Sequence, residues 1–174
     1  MTFLDPAELF DLHAADLFRY LVRRVGESTA EDVLSQTFLV AIEQASRYDP
    51  DRGNPRAWLH GIAANLLRHH YRSETRRWRA YARVEAEVVA DPAEVATGRA
   101  AADQARRLLA APIAALPPRD REVLLLFAWA DLGYAEIASA LGIPLGTVRS
   151  TLHRVRRILR ATLTESLDLT EGVS

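Results

Sequence analysis

The sequence predicts an all-α protein of two small helical domains joined by a flexible linker, the second domain carrying a helix-turn-helix. Three observations carry this. Apolar residues recur at spacings of three and four, and Val, Ile and Thr rarely alternate with polar residues as a strand would require. The 174 residues are 49% hydrophobic and lean towards Ala, Leu, Arg and Glu, which are good helix formers. An acidic, alanine-rich stretch containing Asp91-Pro92 and Gly98 separates two periodic halves. The expected division is a first domain at 1–84, a linker at 85–100 and a second domain at 101–174.

The elements follow in order. Asp5-Pro6-Ala7-Glu8 opens a first helix, with Asp5 as cap, Pro6 at the first helical position and Glu8 placed for a capping box. Leu9, Leu12, Leu17, Tyr20 and Leu21 form its apolar stripe, and it ends near Gly26. Ser28 to Asp32 starts a second helix that runs to about Ser46. Leu34, Phe38, Ala41, Ile42 and Ala45 share its inner face, with Asp32, Gln36, Val40 and Glu43 opposite. Tyr48 to Pro55, with two prolines and a glycine, is a loop. A long helix is expected from Arg56 to Val84.

In the second half a helix at Ala101–Leu116 must be kinked or interrupted at Pro112. Pro117-Pro118 separates it from a helix at Arg119–Ala130, and two more follow at Tyr134–Leu141 and Leu145–Leu163. The acidic tail from Glu165 should fray.

Charge adds a functional hint. Net charge is only −1, but it is unevenly placed. Residues 1–51 hold ten acids and four arginines, whereas 56–83 hold seven arginines and one acid, and 144–160 hold five arginines and no acid. Two basic segments within a neutral chain suggest two nucleic-acid surfaces, with acidic surfaces for another partner. There is no cysteine, which excludes disulfides and thiolate metal sites. The opening residues lack the pattern of a signal peptide, and the longest apolar run, Val123–Ala130, is too short to span a bilayer. A soluble, cytoplasmic protein without membrane insertion is expected.

The most specific local pattern is Tyr134-Ala-Glu-Ile-Ala-Ser-Ala-Leu-Gly-Ile-Pro-Leu-Gly-Thr-Val148. Two helices crossing through a short turn need a small residue at the contact (Ala138), a residue that tolerates positive φ (Gly142) and an apolar residue facing back (Val148). On the second helix, Val148, Leu152, Val155 and Leu159 form a narrow buried stripe. Arg149, Ser150, His153, Arg154 and Arg157 point away from it, and Gly146 permits close approach of a DNA backbone. Arginine can donate two bonds to guanine, and serine and histidine can meet base edges or phosphates.

In the first half, Asn65, Arg68, Arg72, Arg76, Arg79 and Arg83 fall on one helical stripe. Trp58, Tyr71 and Trp78 are interleaved, as suits phosphates and unstacked bases. An ordinary solvated arginine face with tryptophan core anchors is the competing explanation.

Both halves resemble the extracytoplasmic-function (ECF) sigma factors of bacterial RNA polymerase. The resemblance rests on Ala30-Glu-Asp-Val-Leu-Ser-Gln-Thr-Phe38, Asn54-Pro-Arg-Ala-Trp-Leu-His-Gly-Ile-Ala-Ala-Asn65, Leu116-Pro-Pro-Arg-Asp-Arg-Glu-Val-Leu-Leu-Leu126, Tyr134-Ala-Glu-Ile-Ala and Leu141-Gly-Ile-Pro-Leu-Gly-Thr-Val-Arg-Ser150, in this order. It implies that Asp32, Gln36, Val40 and Glu43 dock on core RNA polymerase. It implies that Asn54, Trp58, Asn65, Arg68, His69, Arg72 and Arg76 melt and capture the minus-10 element, Asn65 at a flipped base and the arginines at phosphates. Gly146, Thr147, Arg149, Ser150, His153, Arg154 and Arg157 would read the minus-35 duplex. Promoter DNA and core polymerase are the implied partners, and many members also have an anti-sigma factor. The chain departs from the common pattern at Thr37, where an acid is frequent, and at Thr151, where arginine is frequent.

Two other classes are weighed against this. A response-regulator-type repressor or activator would also use Leu116–Ser150, but its receiver half would alternate strands and helices. An enzyme finds little support. His13, His60, His69, His70 and His153 form no metal-ligand spacing with a carboxylate, and no phosphate loop or nucleophile motif occurs. No catalytic residue, metal or cofactor is expected.

Overall fold

The computed structural model describes residues 5–70, 75–76, 78–80 and 108–171, and these contain helices and turns but no strand. The expected linker at 85–100 lies outside them. In chain order the helices are α1 (Pro6–Val25), α2 (Glu27–Glu43), α3 (Pro55–Leu67), α4 (108–115), α5 (Pro118–Ala128), α6 (Tyr134–Leu141) and α7 (Leu145–Glu171).

Local chemistry sets most boundaries. Asp5 caps α1 by accepting from the Ala7 N–H at 2.9 Å, and Gly26 ends it at φ +87°. The same Gly26 leads into α2, so that helix starts ahead of the expected Ser28-Thr29 signal and has no side-chain cap. Asn54 caps α3 through Oδ1, which accepts from Ala57 N–H at 2.8 Å, with Pro55 at the first position.

Two apolar residues expected to face inward are exposed. Leu12 is 67% exposed, since it lies 140° around α1 from buried Leu17. Ile42 is 52% exposed, one 100° step away from buried Ala41.

The long helix expected to reach Val84 is not continuous. After Leu67 the chain tightens into a 3-10 turn at Arg68–His70, with the Arg68 N–H shared between the Asn65 and Leu66 carbonyls. Residues 75–76 and 78–80 are helical again. Conversely, α4 runs through Pro112 without interruption. The tail expected to fray is helical to Glu171, because no glycine or proline occurs between Leu145 and Glu171 except Gly146 in the first turn, and Gly172 follows the end.

Arg121 explains the joint between α4 and α5. It is fully buried. Its guanidinium donates to the carbonyls of Ile113 (3.0 Å), Ala114 (2.6 Å) and Leu116 (3.3 Å), and to Thr75 Oγ1 (3.0 Å). Carbonyls at a helix end lack their usual partners, and here only that of Ile113 also accepts a backbone N–H, from Leu116 at 3.2 Å, so one planar fork serves the carbonyls where α4 ends.

The halves pack on one another. Leu17, Tyr20, Leu59 and Ile62 share a core with Leu126, Leu132, Ile137 and Val148. Trp78, expected on a nucleic-acid surface, instead stacks on Trp129 with centroids 5.5 Å apart. An ion pair crosses the joint: Arg24, almost fully buried, contacts Glu122 Oε1 at 2.5 Å, and the Tyr20 hydroxyl donates to the same oxygen at 2.9 Å. The clearest mark of this packing is Gly61, in the middle of α3. A methyl group there would sit 3.1 and 3.2 Å from the Ala140 carbonyl carbon and Cα, and closer still to its oxygen. Mid-helix glycine is disfavoured relative to alanine by roughly 1 kcal/mol, so the position makes sense only if α6 needs the space.

Candidate nucleic-acid interface

The helix-turn-helix is built as its residues require. Gly142 adopts the left-handed conformation, φ +61° and ψ +39°, and ends α6. Ile143 N–H then bonds to the Ala138 carbonyl at 3.0 Å, closing the turn. Ile137, Val148, Leu152 and Val155 are fully buried beneath it. On the outside of α7, Gly146, Arg149, Ser150, His153, Arg154 and Arg157 are exposed, and Thr147 is half-buried. Open space surrounds Gly146. Ser150 Oγ donates to the Thr147 carbonyl at 3.1 Å.

One arginine of this group is already paired with an acid. Arg154 pairs with Asp120 Oδ2 at 2.7 Å, because the start of α5 passes within reach of the middle of α7. Arg156, outside the expected set, bonds to the Tyr134 hydroxyl at 3.0 Å and lies over the Phe127 ring. The departure at Thr151 is a buried position, as is that at Thr37, whose Oγ1 donates to the Val33 carbonyl at 2.7 Å. Neither belongs to an exposed face.

The first-half site is only partly open. Asn65, Arg68 and Arg76 are exposed. Arg72 and the His69 side chain lie outside the described residues. Trp58 is half-buried, its ring against Tyr48 at 5.1 Å. Asn54 is committed within the molecule. While its Oδ1 caps α3, its Nδ2 donates to Glu136 Oε1 at 2.6 Å. Glu136 also accepts from the Gly133 N–H at 2.7 Å, capping α6. Partial burial raises the pKa of that carboxyl, but the Gly133 and Asn54 hydrogen bonds outweigh it and leave a net lowering.

Arg56 links the halves as well. It reaches Asp16 at 2.9 Å and donates to the carbonyls of Ala130 and Asp131, in the turn where Asp131 takes φ +51°. Next to it, His60 is buried with Nδ1 2.9 Å from the Arg56 carbonyl, while Nε2 has no hydrogen-bond partner. Nδ1 therefore carries the proton. Burial is the main cause of its lowered pKa.

On the outer side of α2, Asp32, Gln36 and Glu43 are exposed as expected. Val40 is a correction: it packs against the core. The apolar surface on that side comes instead from Leu39, 60% exposed, and Ile42. Sequence reasoning missed these two, and it missed Arg24, Glu122, Glu136 and Gly61. The available signals were an arginine within the apolar face of α1 and a lone glycine inside a helix.

Among the described residues no cluster of three His, Asp or Glu side chains could hold a metal ion, and no helix is long and apolar enough to cross a membrane.

Comparison with known proteins agrees with this geometry. Residues 9–77 match the family model of Sigma-70 region 2, and residues 106–159 match that of Sigma-70 region 4. The chain is 36% identical over 159 residues to the ECF RNA polymerase sigma factor SigE of Mycolicibacterium smegmatis, an alignment covering 88% of this chain and 59% of that one. It therefore spans less than two thirds of that relative's length. It is 34% identical over 160 residues to SigL of Mycobacterium tuberculosis, covering 90% of this chain and 88% of that protein. The fold is shared with the sigma factor RpoE of Bartonella quintana, solved in complex with the anti-sigma factor NepR, at a TM-score of 0.59 and 20% identity, over 91% of this chain and 96% of that one. A helix-turn-helix closed by a left-handed glycine, matches to both family models in the right order, and these relatives place the chain among the ECF sigma factors of bacterial RNA polymerase.

Proposed function

We propose that the chain binds core RNA polymerase through the outer face of α2 and directs it to promoters by two separate readings of DNA. Asp32, Gln36 and Glu43, with the apolar Leu39 and Ile42 between them, form the polymerase-facing surface. A mixed apolar and acidic patch of this kind suits a protein partner better than a polyanion. The α7 face, with Gly146, Thr147, Arg149, Ser150, His153 and Arg157, enters the major groove at the minus-35 element. Asn65, Trp58, Arg68, His69, Arg72 and Arg76 take the minus-10 strand once it is opened, aromatic and amide groups meeting unstacked bases and guanidinium groups meeting phosphates. Arg154 and Asn54 join these surfaces only after leaving Asp120 and Glu136.

One observation carries the reading: from Leu145 to Arg160 the exposed face of α7 is free of acids and is oriented by the buried Val148–Leu152–Val155 stripe behind it. An anti-sigma factor, the kind of partner named with RpoE, would compete for the same surfaces. Run-off transcription with purified core polymerase tests the function. The expected result is a discrete transcript that requires both promoter elements; failure to bind core polymerase defeats the reading.

A further inference from the structure

A cavity of about 530 Å³ lies where the end of α3 meets the start of α5 and the turn of the helix-turn-helix. Its apolar lining comes from Ala64 and Leu67 in the first half and from Leu141 and Ile143 in the second. Ala64 and Leu67 are buried, while Leu141 and Ile143 are half-buried. The charged lining is Arg24, Arg68, Arg119 and Glu122. Arg24 is already neutralised: it contacts Glu122 Oε1 at 2.5 Å, and the Tyr20 hydroxyl donates to the same oxygen. Arg68, in the 3-10 turn after α3, and Arg119, in the first turn of α5, are exposed. Among the described residues neither guanidinium meets an acid or a hydrogen-bond acceptor. The cavity therefore carries two uncompensated positive charges, one from each half.

Apolar walls with convergent cations define the chemistry of an occupant. A concave site of ~300–1,000 Å³ with mostly apolar walls and a few polar groups is the usual form of a small-molecule pocket. The arginines select an anion, because each planar fork matches a pair of carboxylate or phosphate oxygens. The apolar wall selects a hydrocarbon body, whose removal from water drives binding. Size selects a small molecule. At ~30 Å³ for each water in the liquid, the cavity has room for roughly 18 non-hydrogen atoms. An α-helix ~10 Å across would fill it with roughly one turn, too little for a protein segment to be held within it.

We propose that this cavity binds a small amphiphilic anion, with its hydrocarbon body against Leu67, Leu141 and Ile143 and its carboxylate or phosphate head on Arg68 and Arg119. On the minus-10 assignment above, Arg68 is also a contact to strand phosphates. A head group on Arg68 takes that contact, so the anion and the opened strand each lower the affinity for the other.

Isothermal titration calorimetry of the full chain with decanoate and with decyl phosphate, both below micelle formation, tests the site and distinguishes the head groups. One molecule of at least one of them should bind per chain, and acetate, inorganic phosphate and decylamine should not bind. Arg119→Ala, at an exposed position outside the proposed DNA and polymerase surfaces, should weaken binding about 10-fold or more, as expected for loss of one charged hydrogen-bonding partner. Ala64→Leu, which fills the cavity from α3, should abolish binding while helicity by circular dichroism is retained. If Ala64→Leu fails to fold, Arg119→Ala is decisive. Equal binding by the wild type and Arg119→Ala, or binding of neither decyl anion, overturns the proposal. So does binding of an acidic helical peptide in place of both anions. Run-off transcription with the bound anion tests the shared use of Arg68 separately: the wild type should be inhibited at concentrations that leave Arg119→Ala active. Full transcription with the wild-type cavity saturated would discard the assignment of Arg68 to the minus-10 strand and keep the binding site.

Discussion

The α7 face and the loop-and-α3 face use similar side chains, yet they meet different surroundings. On α7, Arg149, His153 and Arg157 stand on a helix whose opposite side is locked into the core, and only Arg154 is drawn away, to Asp120. Around α3, Asn54 and Arg56 are bound to the second half, Trp78 is stacked on Trp129, and Asn65 and Arg68 remain exposed. The difference teaches that a binding surface on a rigid helix facing solvent is ready before its ligand arrives. A surface assembled from a loop and a helix end can serve as an internal interface until something displaces it. On the proposed function, duplex recognition needs only the first kind, because a minus-35 element would be read without being opened. Capture of an unstacked strand suits the second.

The comparison can be broken most severely from behind the open face. Arg121→Leu removes the fork that holds three carbonyls where α4 ends, taking that donor from Ala114 and Leu116 and leaving Ile113 only the Leu116 N–H. A loss of about 3 kcal/mol or more is expected, measured by urea denaturation, with the α7 face lost together with its support. An unchanged denaturation midpoint would show that Arg121 is incidental.

The next effect sharpens the contrast between the faces. Arg149→Ala should lower minus-35-dependent transcription by roughly 10–100-fold, the range for loss of one bidentate base contact, and leave core polymerase affinity intact. An equal loss on a template lacking the minus-35 element would place Arg149 elsewhere. On the other face, Arg68→Ala should weaken promoter binding about evenly across sequences and reduce the slope of log affinity against log salt by about 1. A sequence-dependent loss with an unchanged slope would contradict a phosphate contact.

The smallest effect concerns the packed side. Burial holds the His60 pKa below its ordinary value of 6.5, with Arg56 acting in the same direction and the Arg56 carbonyl and Asp16 opposing. Lowering in the folded state means that the unfolded chain takes up the proton first as pH falls. The stability is full above about pH 6.5 and declines as pH drops from there through the lowered folded value. Comparing denaturation midpoints of wild type and His60→Leu across this range isolates the histidine: the wild type should lose more stability on acidification. Parallel pH profiles would rule the histidine out as the cause.

Much of this was legible beforehand for local reasons. Asp5 and Gly142 mark helix ends because caps and positive φ are decided within a few residues. The bounds of α6 and the outward set on α7 followed from 100° steps and a strong Val148–Leu152–Val155 stripe. Leu12, Ile42 and Val40 were misjudged because each sits at the edge of a broad apolar stripe, where a single step decides between core and surface. The 3-10 turn at Arg68–His70 was missed because no proline or glycine announces it.

What the sequence determined by itself was the helical class, the helix-turn-helix with its outward arginines, and the membership implied by five ordered motifs; each depends on interactions among near neighbours in the chain. The tertiary structure alone decided which polar groups stay available. Asn54 bonds to a residue 82 positions away, Arg24 to one 98 away, and Gly61 makes room for Ala140. Such pairings depend on how two separately patterned halves dock, and helical periodicity carries no information about the surface that will face it.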